Sequence, residues 1–237
     1  YFIDEKRFPD KFDLDSVTGG VPALIVRACM HIGVLNSEAL KLLGLNKETA
    51  KEYGELIEIL PDGEPNGVIK EGLLSTIKTN TSVIDLDTLK NLIDEAQYFA
   101  LAKGITSIQT DDIAHTAERD YELLFKAFKE LDEEERLKIR LGEQCSISTP
   151  GLLKTFFEKG YNHGYGSNKY RVNCIKLFTD GSLGARTAAL KAPYKDAPDT
   201  KGIEIFTQDE INELVLISHM NNCPVAIHAI GDRGLEM

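Results

Sequence analysis

From residue 86 onward, apolar and polar positions alternate in regular blocks. Residues 86–103 (LDTLKNLIDEAQYFALAK) repeat apolar side chains at helical spacing and stop at Gly104, which predicts an amphipathic helix closed by glycine. Short apolar runs at 104–110, 137–145, 173–180 and 224–230 predict strands. Helical patterns at 117–136, 149–160 and 207–222 lie between them. Pro150 suits the first turn of its helix, and Thr207 with Glu210 spells a capping box. Strands that alternate with helices in this way predict a parallel sheet with crossover connections, either a segment of a (β/α)8 barrel or an open doubly wound sheet.

The first 85 residues follow another pattern. Residues 1–20 read as polar and irregular, with RFPD and TGG as turn signals. Residues 21–28 read as a strand and 36–45 as a helix with Asn36 or Ser37 at its N-cap. NKETAKEYG reads as a second short helix. Four Gly or Pro breaks make 57–72 a region of turns and short strands, with a further helix starting near Ile69.

Composition narrows the possible partners. The chain has 237 residues and a formal net charge of -11, with no basic run, which argues against nucleic acid. No apolar run reaches the roughly 20 residues of a membrane helix, and no signal peptide is legible, so a cytoplasmic protein is expected. Cys29, Cys145, Cys174 and Cys223 lack CxxC spacing and read as reduced, mostly buried thiols. No GxGxxG follows the first strand of the regular region, and there is no GxxxxGK[ST] motif. The chain opens on Tyr1 and closes on GDRGLEM, which reads as a segment of a longer protein.

In either parallel architecture, chemistry gathers at the C-terminal ends of the strands. The polar groups expected there are Thr110, Asp111, Asp112 and His115, then Glu143, Gln144 and Cys145. Lys176, Thr179 and Asp180 follow, and then His228 and Asp232. Lys176 lies inside an apolar run. It is a strand-end lysine reaching solvent or an ion pair, a Schiff-base lysine, or a carboxylated lysine bridging metals. His228 in PVAIHAI is a structural histidine or a metal ligand, and the Lys176 strand beside it favours the ligand. Asp232 could orient that imidazole or contact substrate. Arg186 could bind an anionic group or pair with Asp180 or another carboxylate. His31 is a structural group in a turn or a substrate contact. His115 and His219 read as surface groups, and His163 as part of a loop.

Five ordered segments then carry a resemblance: RACMHIGVLNSEAL, DGEPNGVIKEG, GITSIQTDD, IKLFTDGSLGARTAAL with APYKD, and AIHAIGDRG. Together they resemble amidohydrolase family 3, the YtcJ-like metal-dependent hydrolases related to N-substituted formamide deformylase. The resemblance implies an α/β fold, a partial (β/α)8 TIM barrel of about strands 2–5 with an α+β insertion at its N-terminal side. Residues 1–85 would be the insertion and 86–237 the barrel segment. It implies a divalent metal, zinc foremost, as one or two ions in the parent enzyme, activating water against an amide or other C–N bond of a small molecule. Lys176 and His228 would be metal ligands, and His31, Glu71, Asp180, Arg186 and Asp232 would contact substrate or support the ligands. The first-strand HxH would precede Tyr1, and the strand-6 histidine and general base would follow Met237. The fragment is therefore expected to be inactive alone and to self-associate through open sheet edges. A lyase or aldolase using Lys176 and a non-catalytic binding module are the alternatives.

Overall fold

A computed structural model describes residues 7–81, 84–116 and 120–237. The regular part forms as its periodicity predicts. Helix α4 (Leu86–Ala102), strand β5 (Ser107–Thr110), helix α5 (Tyr121–Glu133), strand β6 (Arg140–Cys145), helix α6 (Pro150–Glu158), strand β7 (Tyr170–Phe178), helix α7 (Gln208–Met220) and strand β8 (Val225–His228) follow in order. The strands make one parallel sheet in the order β5-β6-β7-β8, curled like half a barrel. The capping box at Thr207 and Glu210 is present, and Pro150 opens α6. Residues 117–119 of the expected fifth helix lie outside the described residues.

The α5 sequence shows why the sheet is covered. Tyr121, Leu124, Phe125, Phe128 and Leu131 fall on one helical stripe and are all buried. With Phe156, Val172, Ile175 and Leu177 they form the core of this unit. Tyr121 meets the Phe156 ring edge-on at 5.0 Å, a favoured aromatic geometry.

The N-terminal part holds an antiparallel sheet in the order β1-β2-β4-β3, from β1 (Leu24–Val26), β2 (Ile32–Leu35), β3 (Ile57–Ile59) and β4 (Pro65–Lys70). Three expectations need correction here. The irregular opening contains helix α1 (Lys11–Thr18), nucleated by a capping box of Asp10 and Asp13. The turn expected at His31 leads directly into β2, whose four residues are all buried. The second short helix is instead a 3-10 segment, Thr49–Leu56, kinked at Gly54. Helices α2 (Ser37–Leu42) and α3 (Glu71–Thr81) lie close to the expected places, with Asn36 as the α2 cap.

Two units share the chain: Tyr1–Ile77 with Asp180–Ile203 and Ile230–Arg233, and Lys78–Thr179 with Glu204–Ala229 and Gly234–Met237. No helix among the described residues is long and apolar enough to cross a membrane.

Candidate functional site

Strand alternation selects the chemical face of the parallel sheet. Ile175 and Leu177 enter the core, so Lys176 and Phe178 project from the opposite face. Phe178 is in register with His228, and Lys176 with Ala226. Lys176 Nζ sits 4.6 Å from the Phe178 ring centroid, and that ring lies 5.3 Å from the His228 ring. Lys176 and His228 therefore occupy one face at the C-terminal ends of neighbouring strands, with the Phe178 ring close to both. Thr179 fixes the end of β8, because its N–H and its hydroxyl both donate to the His228 carbonyl, at 2.9 and 2.8 Å.

Glu143 ends β6 on the core side and is fully buried. Its Oε1 accepts from Ile113 N at 3.1 Å, while Oε2 has no hydrogen-bond partner among the described residues. Burial, reinforced by the nearby Asp112 charge, pushes its carboxyl well above the ordinary range. Gln144 meets Gln109 at 2.7 Å. Cys145 is buried in the core with its thiol pushed well up, again by burial. All four cysteines are free, and Cys145, Cys174 and Cys223 are buried.

His31, Glu71, Asp180, Arg186 and Asp232 lie in the other unit. There, antiparallel β2 and β4 bring His31 beside Glu71, with Nδ1 2.9 Å from Oε2. The hydrogen bond to Glu71 raises the His31 pKa above 6.5, against partial burial. The other Glu71 oxygen accepts a short bond from the Thr187 hydroxyl. Thr187 Oγ1 in turn accepts from Ser182 N at 2.9 Å. A side chain at Gly181 would overlap the Glu71 carboxylate, so glycine is required for this approach. Asp180 is fully buried and accepts from Ala189 N at 2.9 Å, Ile230 N at 3.0 Å and Gly231 N at 2.6 Å. It joins the 181–189 loop to the Ile230 turn.

Arg186 pairs with Asp196 at 3.1 Å, one of the partners its charge allowed. Asp232 Oδ1 accepts from Lys191 N at 2.9 Å, a loop-closing role. Met30, Glu71 and Arg186 all have left-handed backbones, with φ of 66°, 44° and 57°. His163 Nδ1 meets Asn173 O at 2.8 Å. The His115 side chain lies outside the described residues. Sequence reasoning missed Phe178 and Thr187. Phe178 was reachable, since it follows Lys176 at strand period 2. Thr187 had no local signal, because its partner Glu71 lies 116 positions away.

Residues 3–237 match the amidohydrolase family. The chain belongs to that family. It is 27% identical over 230 residues to YtcJ of Bacillus subtilis, covering 95% of this chain and 41% of that protein. With the N-substituted formamide deformylase of Arthrobacter pascens it shares 32% identity over 245 residues, 99% of this chain and 43% of the relative. Its fold is similar to a crystal structure of an uncharacterized metal-dependent hydrolase from Pyrococcus horikoshii OT3. That similarity has a TM-score of 0.65 and 29% identity, and it covers 97% of this chain and 43% of that one. The chain thus spans about two fifths of the length of each.

Proposed function

We propose that this amidohydrolase chain is part of a metal-dependent hydrolase acting on amide or other C–N bonds of small molecules, and that Lys176 and His228 are two of its metal ligands. The observation that carries the reading is their shared face at adjacent strand ends, both close to Phe178. The curled parallel sheet fits strands 2–5 of a (β/α)8 barrel, with residues 1–85 largely an insertion.

Imidazole and a carboxylated lysine both suit zinc, but a zinc ion takes about four ligands. Among the described residues, no group of at least three His, Cys, Asp or Glu is arranged to hold a metal. The described residues therefore fit only part of a coordination shell. When bound, such an ion polarises a carbonyl and lowers the pKa of water. For its part, the chain holds His228 through Thr179. In the same reading, His31, Glu71, Asp180, Arg186 and Asp232 are proposed as substrate-contacting or ligand-supporting groups. Four free thiols support a cytoplasmic setting. The two edge strands, β5 and β8, favour self-association.

Zinc titration of the purified 237-residue chain, with mass-spectrometric metal counting after dialysis, tests the reading. Weak, substoichiometric zinc that Lys176→Ala and His228→Ala weaken further is expected, with no turnover of N-substituted formamides. Tight stoichiometric zinc with turnover defeats the expected inactivity. Zinc binding indifferent to both substitutions defeats the ligand assignment. Borohydride trapping of a carbonyl compound on Lys176 would favour Schiff-base chemistry instead.

A further inference from the structure

One cleft of 580 Å³ lies wholly within the unit that holds the antiparallel sheet, a size typical of small-molecule sites. Its apolar wall includes Ile25, Val34 and Val68, and its charged rim carries Arg7, Asp10, Arg27, Glu58 and Arg186.

The charges on that rim are almost all matched. Arg7 pairs with Asp13 at 2.6 Å, and Arg186 pairs with Asp196 at 3.1 Å. Glu58 takes Lys70 at 2.9 Å and the Asn66 amide at 3.2 Å. Asp10 accepts from Phe12 N and Asp13 N as the cap of α1. Arg27 differs. Its Nη1 is buried and has no hydrogen-bond partner among the described residues.

Local structure holds that guanidinium in place. Arg27 opens the turn between β1 and β2, where its N–H donates to Ile32 O at 2.9 Å and its carbonyl accepts from Met30 N at 2.8 Å. The guanidinium lies 5.9 Å from the Phe8 ring centroid. Gly184 lets it approach, since a Cβ there would stand 2.9 Å from Nη1. A buried charged donor without an acceptor is costly, and a carboxylate is the group that matches a guanidinium fork.

We infer that this cleft binds a small organic anion, a carboxylate on an apolar body, with Arg27 as its anchor. The carboxylate meets Arg27 at the polar end, and the body lies along Ile25, Val34 and Val68. Phe8, 5.9 Å from the guanidinium, lies within cation–π reach of it and adds an aromatic face to that end of the cleft. Binding here needs no metal and no hydrolysis, so chelators leave it unchanged.

Calorimetric titration of the 237-residue chain with hydrocinnamate, and with the neutral twin 3-phenylpropanol, tests the assignment. The carboxylate is expected to bind at least about tenfold more tightly than the alcohol, and Arg27→Gln to remove about that factor. Circular dichroism checks that the variant is folded. Should it not fold, phenylglyoxal labelling of the unmutated chain reads the same contact, with saturating hydrocinnamate slowing modification of Arg27 severalfold. Equal affinity for acid and alcohol, unchanged affinity in a folded Arg27→Gln variant, or unprotected Arg27 labelling would each overturn the proposal.

Discussion

His31 and Glu71 lie 40 residues apart in sequence, yet their side chains meet at 2.9 Å because β2 and β4 run antiparallel. The bond to Glu71 raises the His31 pKa above its ordinary 6.5. The folded state therefore holds this proton more tightly than the unfolded state. The stabilisation is complete below 6.5 and is lost as pH climbs through the raised value. Thermal unfolding from pH 6 to 9 is expected to show a falling midpoint, and Glu71→Gln to flatten that fall.

Glu143 titrates with the opposite consequence for its own substitution. Its carboxyl is raised well above 4.5 by burial, so rising pH ionises it first in the unfolded state and draws stability down. Glu143→Gln keeps an acceptor for Ile113 N and cannot ionise. The variant is expected to melt higher than the parent at pH 8 and nearly level with it at pH 4, measured by calorimetry.

Asp180 serves three backbone donors, at Ala189, Ile230 and Gly231. Asp180→Ala leaves those N–H groups without their acceptor, at about 1–3 kcal/mol for each one that stays buried. Urea denaturation is expected to show a loss of about 3 kcal/mol or more, and a loss below about 1 kcal/mol would mean that water replaces the carboxylate.

Lys176 is held over the Phe178 ring. A cation–π contact at a partly exposed site contributes about 0.5–1 kcal/mol. Phe178→Ala is therefore expected to speed acylation of Lys176 by an activated ester about two- to fivefold, read by peptide mass spectrometry. An unchanged rate would mean that the ring does not restrain the lysine.

The parallel unit was legible because helix and strand periods differ and glycines mark the stops. α5 shows its stripe at Tyr121, Leu124, Phe125, Phe128 and Leu131 without any tertiary information. The antiparallel unit was harder to read. In α1 only Leu14 is buried, so no apolar stripe announces the helix, and its capping box is built from two aspartates. β2 is buried at all four positions and lacks the alternation of a half-buried strand. The site divides in the same way. Lys176 and His228 stand out as ionisable groups within apolar strands. The links from Glu71 to His31 and Thr187 depend on register and loop closure between segments far apart in sequence. Arg27 gave no local signal, since its importance lies in an acceptor that its surroundings do not supply.

Glu71 and Arg186 both take a backbone conformation that glycine would adopt without strain. A side chain there costs about 1 kcal/mol of backbone energy. Engineering for heat resistance would be drawn to Gly at both places, and at Glu71 it would release the His31 and Thr187 partners while relaxing the chain. Each buried polar partner left unsatisfied costs about 1–3 kcal/mol, more than the strain relieved, so glycine at Glu71 would lower the melting temperature although it relaxes the backbone.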